Sequence, residues 1–299
     1  MKLLPAVLSL ALSVAMPMLG QQSTIPDSSW VAAAAPYVAT HLSGRPSGYD
    51  GTAKFADAKP LSHVAQSDVQ FVKDTLYKAT VLLYGQDESG TMKMRCTATA
   101  IDKTDKGYVF ATAAHCGCAD DEDNRTVSPE KVFFFITPDA VGEKVFLEAK
   151  PLVCGYRHAG DDVFLLTVDT KLPFVTIDLG EDPKLMDSVV NVASPLGIGK
   201  QVFLGTVSAA DLDRPVIDGD INWTHASLLQ LFGTDGGSSG SAVVCLDQQK
   251  ICGFVVGSID KTSIIAMPVS RLIKLREQFA AGTYKHWVAD PDAVNTKKK

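Results

Sequence analysis

The sequence predicts an all-β protein of two six-stranded antiparallel barrels followed by one helix, and three observations carry that prediction. Short apolar runs recur at close spacing over 79–84, 93–101, 107–112, 132–137, 145–153 and 163–168. A second set occupies 188–193, 201–208, 226–231, 241–245, 251–258 and 262–267. Strands this short and this frequent, separated by turn residues, are the pattern of barrels, and two groups of six give two of them. The third observation is a stretch at 269–280 in which Leu272, Leu275 and Phe279 share one helical face.

The segments ahead of the barrels read differently. Met1-Lys2 followed by an apolar stretch to Leu19, with small residues near Ala15 and Gly20, is the pattern of a secretory signal over residues 1–20. Pro5 and Pro17 interrupt it as a membrane span. An uncleaved amino-terminal anchor is the alternative, because the apolar run is close to the shortest spanning length. Residues 21–75 form an N-terminal extension or propeptide, whose first part, 21–62, is rich in Ser, Pro, Gly and Ala and shows little periodicity. Toward its end Val69, Val72 and Leu76 fall at helical spacing behind Ser67-Asp68 as a cap, which predicts a helix packed outside the first barrel. The main domain then covers 76–285, with lobes at 76–174 and 175–270, and 286–299 is a tail ending in the solvated Lys297-Lys298-Lys299. No second domain is expected.

Composition narrows the function. A chain of 299 residues that is 46% hydrophobic buries a sizeable core. The net charge of -6 opposes a phosphate-binding surface, so nucleic acid is excluded as a partner. Six cysteines in an exported chain fit three disulfides, and spacing alone leaves many pairings open. Together with the signal, they predict a secreted or periplasmic protein with no stable membrane insertion once the signal is removed.

Chemistry is concentrated in three places. His115 ends the small and apolar segment Phe110-Ala111-Thr112-Ala113-Ala114 and is followed by Cys116. Asp162 opens the apolar run Val163-Phe164-Leu165-Leu166. Ser239 lies in Gly236-Gly237-Ser238-Ser239-Gly240-Ser241, whose glycines permit a tight turn that aims successive N–H groups at a developing oxyanion. A serine hydroxyl attacks only when a neutral imidazole takes its proton, and a buried carboxylate holds that imidazole in the right tautomer. The three residue types together therefore point to nucleophilic hydrolysis.

These segments resemble the trypsin-like, chymotrypsin-fold serine proteases, with their TAAHC-type histidine segment, D-(I/V)-x-L-L aspartate strand and G-x-S-G-(G/S) serine loop. Asp187 to Gly199, Leu204 to Ala209 and Ile265-Ala266-Met267-Pro268-Val269 look like the HtrA-like branch, while Thr234 to Ser241 is similar to the serine loop of glutamyl endopeptidases. The resemblance covers about 76–280. It implies a chymotrypsin-like pair of barrels with the catalytic cleft between them. His115 is then general base and acid, Asp162 its orienting group and Ser239 the nucleophile, with Gly237 and Ser239 as oxyanion donors and a protein or peptide as substrate. A PDZ domain, usual after the catalytic unit of HtrA-like proteases, is not expected after 285. Ser238 stands where digestive trypsins carry the aspartate that receives a new amino terminus, so activation by terminal insertion is not expected either.

The resemblance also implies a primary pocket walled by Gly233, Thr234, Val255 and Val256. No carboxylate occupies Gly233, where trypsin-like enzymes place the one that binds Arg or Lys, and Val255 stands where glutamyl endopeptidases carry a histidine. Small or aliphatic residues ahead of the scissile bond are the expectation, with Asp235 the one residue that would favour basic ones. Cys96 and Cys116 are a pair often tied in the family. Cys245 and Cys252 flank a hairpin loop, leaving Cys118 with Cys154.

Several weaker patterns point elsewhere. A zinc site at His115, Cys116 and Cys118 lacks a fourth ligand at finger spacing. The acidic run Ala119-Asp120-Asp121-Glu122-Asp123 is not an EF-hand and reads as a solvated loop. No metal or cofactor is expected. Asp161 is read as a solvated neighbour of Asp162, and His41, His63, His158, His225 and His286 as surface or packing residues. Asn124-Arg125-Thr126 and Asn222-Trp223-Thr224 are glycosylation sequons that arise readily by chance. An α/β-hydrolase esterase would need the order Ser, Asp, His, which this chain does not have. A catalytically inactive protease-like binding protein remains the alternative function.

Overall fold

The computed structural model describes residues 65–121, 126–138, 145–212, 216–218, 221–223, 225–231 and 234–287. The expected signal, most of the N-terminal extension, residues 288–299, Gly233, His41, His63, and Asn124 and Thr224 of the sequons lie outside the described residues.

A first helix, α1 (66–79), runs as α-helix over Gln66–Phe71, widens to a π turn over Val72–Leu76 and ends at Tyr77–Ala79. Its inner face buries Leu76 and Ala79 and packs Val72 against the core, but Val69, expected on the same face, is 55% exposed. The capping differs from expectation. The N–H groups of Asp68 and Val69 turn to the Ala65 carbonyl at 2.9 and 3.2 Å, with no side-chain cap, so Ser67 lies inside the helix. Asp68 instead suits the positive end of the helix dipole and accepts a hydrogen bond from Gln249 Nε2 at 3.1 Å.

The first barrel takes β1 (Thr80–Gln86), β2 (Met92–Lys103) and β3 (Gly107–Thr112), then passes through a side hairpin of β4 (Cys118–Asp121) and β5 (Thr126–Pro129). It returns with β6 (Phe133–Thr137), β7 (Leu147–Cys154) and β8 (Phe164–Asp169). The strands close in the order β1-β2-β3-β8-β7-β6, every pair antiparallel.

The second barrel is built from β9 (Ser188–Ala193), β10 (Gln201–Ala209), β13 (Ser227–Leu231), β14 (Ala242–Cys245), β15 (Lys250–Ser258) and β16 (Ser263–Pro268). A small hairpin of β11 (Val216–Asp218) and β12 (Ile221–Trp223) stands beside it. Closure runs β10-β13-β16-β15-β14-β9. The final helix α2 (Val269–Ala280) buries Leu272 and Leu275 and packs Phe279 against the core. None of the described helices is long and apolar enough to cross a membrane.

Two features correct the sequence reading. The first part of the acidic run is a strand rather than a solvated loop: Cys118–Asp121 pairs with Thr126–Pro129, and the Asp120 side chain, bound to Arg157, is only 4% exposed, while Glu122 and Asp123 lie outside the described residues. Asp161 is not freely solvated but forms a partly buried ion pair with Arg271 of α2 at 3.3 Å.

Many strands bury both faces, and the period of two divides their side chains between two cores. Val189, Val243, Val255 and Ile264 fill the interior of the second barrel. Their neighbours Val190, Val244, Phe254, Val256 and Ile265 join the larger core that includes the first barrel's Phe110, Phe134 and Phe164. Strands covered on both sides read as continuous apolar runs rather than alternating ones, the reason this sequence shows runs. Disulfides join Cys96 to Cys116, Cys118 to Cys154 and Cys245 to Cys252, the three expected pairs.

Candidate active site

Strand register brings His115 and Asp162 together. Thr112, the last residue of β3, pairs with Phe164, the first of β8. The chain leaves β3 into a 3-10 turn at Ala114–Cys116 that holds His115, while it enters β8 from a 3-10 turn at Arg157–Ala159 followed by left-handed Gly160. Asp162, fully buried, accepts two hydrogen bonds from the same residue: His115 Nδ1 lies 2.8 Å from Oδ2, and the His115 backbone N–H donates to Oδ1 at 3.0 Å. Burial opposes a charge on the ring, but the Asp162 carboxylate and its hydrogen bond outweigh that, raising the His115 pKa above its ordinary value; the Arg157 guanidinium pulls it back.

Ser239 comes from the second barrel, on the loop between β13 and β14. The N–H groups of this loop divide into two sets. Asp235 donates to Ser238 Oγ at 3.3 Å, Gly236 to Asp235 Oδ1 at 2.7 Å, Ser238 to the Asp235 carbonyl at 2.9 Å, Gly240 to Val255 O at 2.7 Å and Ser241 to Ser238 O at 3.1 Å. Those of Gly237 and Ser239 have no acceptor among the described residues. Gly237 needs its glycine: φ is +97°, and a Cβ there would sit 2.7 Å from the Ser194 carbonyl oxygen.

His115, Arg157, Thr234, Ser239, Val255 and Val256 share one cleft of about 470 Å³. Thr234, Val255 and Val256 are buried walls, and a bulge leaves Val256 without a pairing partner on β16. No hydrogen bond within 3.5 Å joins the Ser239 hydroxyl to His115 here. Such bonds are commonly long in unliganded enzymes and tighten around substrate. Cys96 and Cys116, whose sulfurs lie within 4.8 Å of a His115 ring nitrogen, are bonded to each other rather than held as thiolates.

Residues 96–256, more than half of the chain, match the trypsin-like peptidase domain model. The chain belongs to that family. No curated protein sequence matches the chain significantly. Among solved structures, the HtrA-type protease AlgW with a tripeptide superposes with a TM-score of 0.54 at 15% identity, over 71% of this chain and 63% of that one. A serine endoprotease from Yersinia pestis gives 0.51 at 19% identity, over 73% and 68%. An inactive serine-to-alanine mutant of Rv3671c from M. tuberculosis gives 0.52 at 17%, over 72% and 92%. This chain thus spans less than two thirds of the AlgW structure, and at such identities the likeness is one of fold.

The cleft holds His115, Ser239, Thr234, Val255 and Val256 of the residues singled out from the sequence, with Asp162 directly behind the histidine. Arg157 was missed. Its signal was its place five residues ahead of Asp162, in the loop that must approach the histidine if β8 pairs with β3. The second hydrogen bond, from the His115 backbone N–H to Asp162, was also missed, since side-chain pattern carries no information about it.

Proposed function

We propose that this chain is an exported serine endopeptidase that works through His115, Asp162 and Ser239 and an acyl-enzyme. The observation that carries the reading is the buried Asp162 carboxylate gripping His115 at both its ring and its backbone, on the cleft that also receives Ser239. With Nδ1–H donated to Asp162, the neutral ring has its lone pair on Nε2, the atom that takes the Ser239 proton as Oγ attacks the peptide carbonyl. The oxyanion is received by the uncommitted N–H groups of Gly237 and Ser239. His115 then gives its proton to the departing amine, and water resolves the acyl-enzyme. Three disulfides fit an oxidising compartment, in keeping with export.

The buried walls Thr234, Val255 and Val256 are uncharged, which supports small or aliphatic residues ahead of the scissile bond, while the exposed Asp235 lines the same cleft and would favour basic ones. Fluorophosphonate labelling tests the mechanism: wild type is expected to be labelled and Ser239→Ala to be unlabelled with a nearly unchanged unfolding midpoint. Wild-type protein that folds yet neither labels nor cleaves peptides would instead be an inactive protease-like binding protein. Cleavage profiling with a peptide library tests the pocket, and predominant cleavage after Arg, Lys or Glu would overturn the specificity proposed.

A further inference from the structure

The loop that delivers Asp162 also delivers a cation to the cleft. Arg157 is held from behind: its Nε donates to Asp120 Oδ2 at 2.6 Å, and Asp120 is almost wholly buried on β4. His158 Nε2 lies 3.6 Å from the same carboxylate oxygen. The other oxygen, Oδ1, is buried with no hydrogen-bond partner among the described residues. A carboxylate buried in this way needs its cation, so Asp120 fixes the guanidinium in place. A guanidinium offers five N–H donors in a planar fork, and the bond through Nε leaves the four terminal ones for another acceptor. Among the described residues none is engaged within the protein. Arg157 is about a fifth exposed and lines the cleft beside His115, near enough for its charge to oppose protonation of that ring.

The position of Arg157 fixes which part of a substrate it meets. It belongs to the loop entering β8 of the first barrel, whereas Thr234, Val255 and Val256 of the same cleft come from the second. A peptide bound in extended form turns successive side chains to opposite sides. When the residue just ahead of the scissile bond enters the second-barrel pocket, the residue before it faces the first barrel, where Arg157 stands. We infer that Arg157 selects substrates carrying Asp or Glu at the second position ahead of the scissile bond, through a fork of N–H donors that Asp120 holds in place. The inference rests on the peptidase reading above and adds a substrate class to it. The place of Arg157 ahead of Asp162 brings it near the histidine, but the sequence does not show the selection, because Asp120 lies in an acidic run that looks solvated.

Peptide pairs that differ only by Asp or Asn at that position, with the pocket residue kept aliphatic, test it on the full chain. Wild type is expected to favour the Asp peptide about tenfold in kcat/KM at low ionic strength, and the ratio should shrink as salt is added. Arg157→Gln should bring the ratio close to one, whereas Arg157→Lys should keep part of it, and Asp120→Asn, which frees the guanidinium, should lower it. Fluorophosphonate labelling of each variant reports whether the site is still assembled. If a variant fails to fold, the wild-type ratio and its salt dependence decide alone. A wild-type ratio near one, or a preference that survives unchanged in labelled Arg157→Gln, overturns the inference while leaving the peptidase reading intact. Wild type that neither labels nor cleaves overturns both.

Discussion

Ser238, Ser239 and Ser241 lie within one loop, yet their surroundings assign them different work. Ser241 is fully buried, donates to the Ser238 carbonyl at 2.6 Å and receives Asn191 Nδ2 at 2.8 Å. Ser238 is also buried and accepts the Asp235 N–H. Ser238 and Ser239 both line the cleft, but the Ser239 hydroxyl has no such ties among the described residues. Ser241→Ala should therefore lower stability by about 1–2 kcal/mol in urea unfolding while retaining fluorophosphonate labelling, and Ser238→Ala should also still label. Loss of labelling in Ser241→Ala at unchanged stability would move the nucleophile to that residue. The titration of His115 offers a second reading at the same scale. Because the raised pKa must be exceeded before the ring is a base, hydrolysis should rise with pH through a limb above the ordinary imidazole value. The sign for stability is opposite. A folded pKa above the unfolded one gives a contribution fully present below the unfolded value and lost as pH climbs through the folded value. Asp162→Asn removes the groups that raise the ring, so its limb should move to lower pH, with kcat reduced by roughly three to four orders of magnitude. A limb that stays in place would show that Asp162 does not govern the titration.

Elements were more legible than their exceptions. The twelve barrel strands follow the apolar runs, most plainly where both faces are covered, as in β1, β14 and β15, and α2 follows its helical face. The hairpins β4-β5 and β11-β12 were invisible because neither is built from an apolar run. β4 is held instead by the Asp120–Arg157 pair and by the disulfide from Cys118 to Cys154, partners far away in sequence. His115, Asp162 and Ser239 were readable because each lies next to a strand with a recognisable context. Arg157 was not, since only the three-dimensional approach of its loop gives it a role. The disulfides carry an element-scale prediction. Cys118–Cys154 closes a separation of 36 residues and Cys245–Cys252 only 7, so loop entropy makes the first the stronger constraint. Replacing both cysteines of the longer bridge by serine should cost roughly 4 kcal/mol of stability, against about 2.5 for the shorter. Denaturant unfolding of the two variants gives the comparison. An equal or reversed order would mean that local contacts, not chain closure, dominate at these sites.

At the scale of the whole molecule, each barrel supplies one part of the site and neither supplies all of it. Their relative placement must be held within a fraction of an ångström for His115 to serve Ser239, and Thr97 of β2 is where much of that hold is concentrated. It is fully buried. Its backbone N–H donates to the Ser239 carbonyl at 3.0 Å, and its hydroxyl donates to the Gly237 carbonyl at 2.8 Å. The same hydroxyl accepts the Ser194 N–H at 3.0 Å, and its carbonyl receives Thr112 Oγ1 at 2.8 Å. A first-barrel side chain thus fixes the Gly237–Ser238 peptide group, which lies between the two proposed oxyanion donors, with the tight turn at Gly240 directly beside it: a Cβ there would lie 2.6 Å from the Thr97 carbonyl oxygen. Thr97→Val keeps the shape of the residue and deletes the hydroxyl, leaving Gly237 O and the Ser194 N–H without this partner. Two effects should separate. Stability should fall by about 1–3 kcal/mol, the ordinary cost of unpaired buried groups. With a loosened oxyanion loop, kcat should fall by roughly ten- to a hundredfold with KM little changed, because the donors act on the transition state rather than on the bound peptide. Thr97→Ser, which restores the hydroxyl, should recover most of kcat. If Thr97→Val lowers stability but leaves kcat intact, the hydroxyl joins the barrels without positioning the chemistry between them.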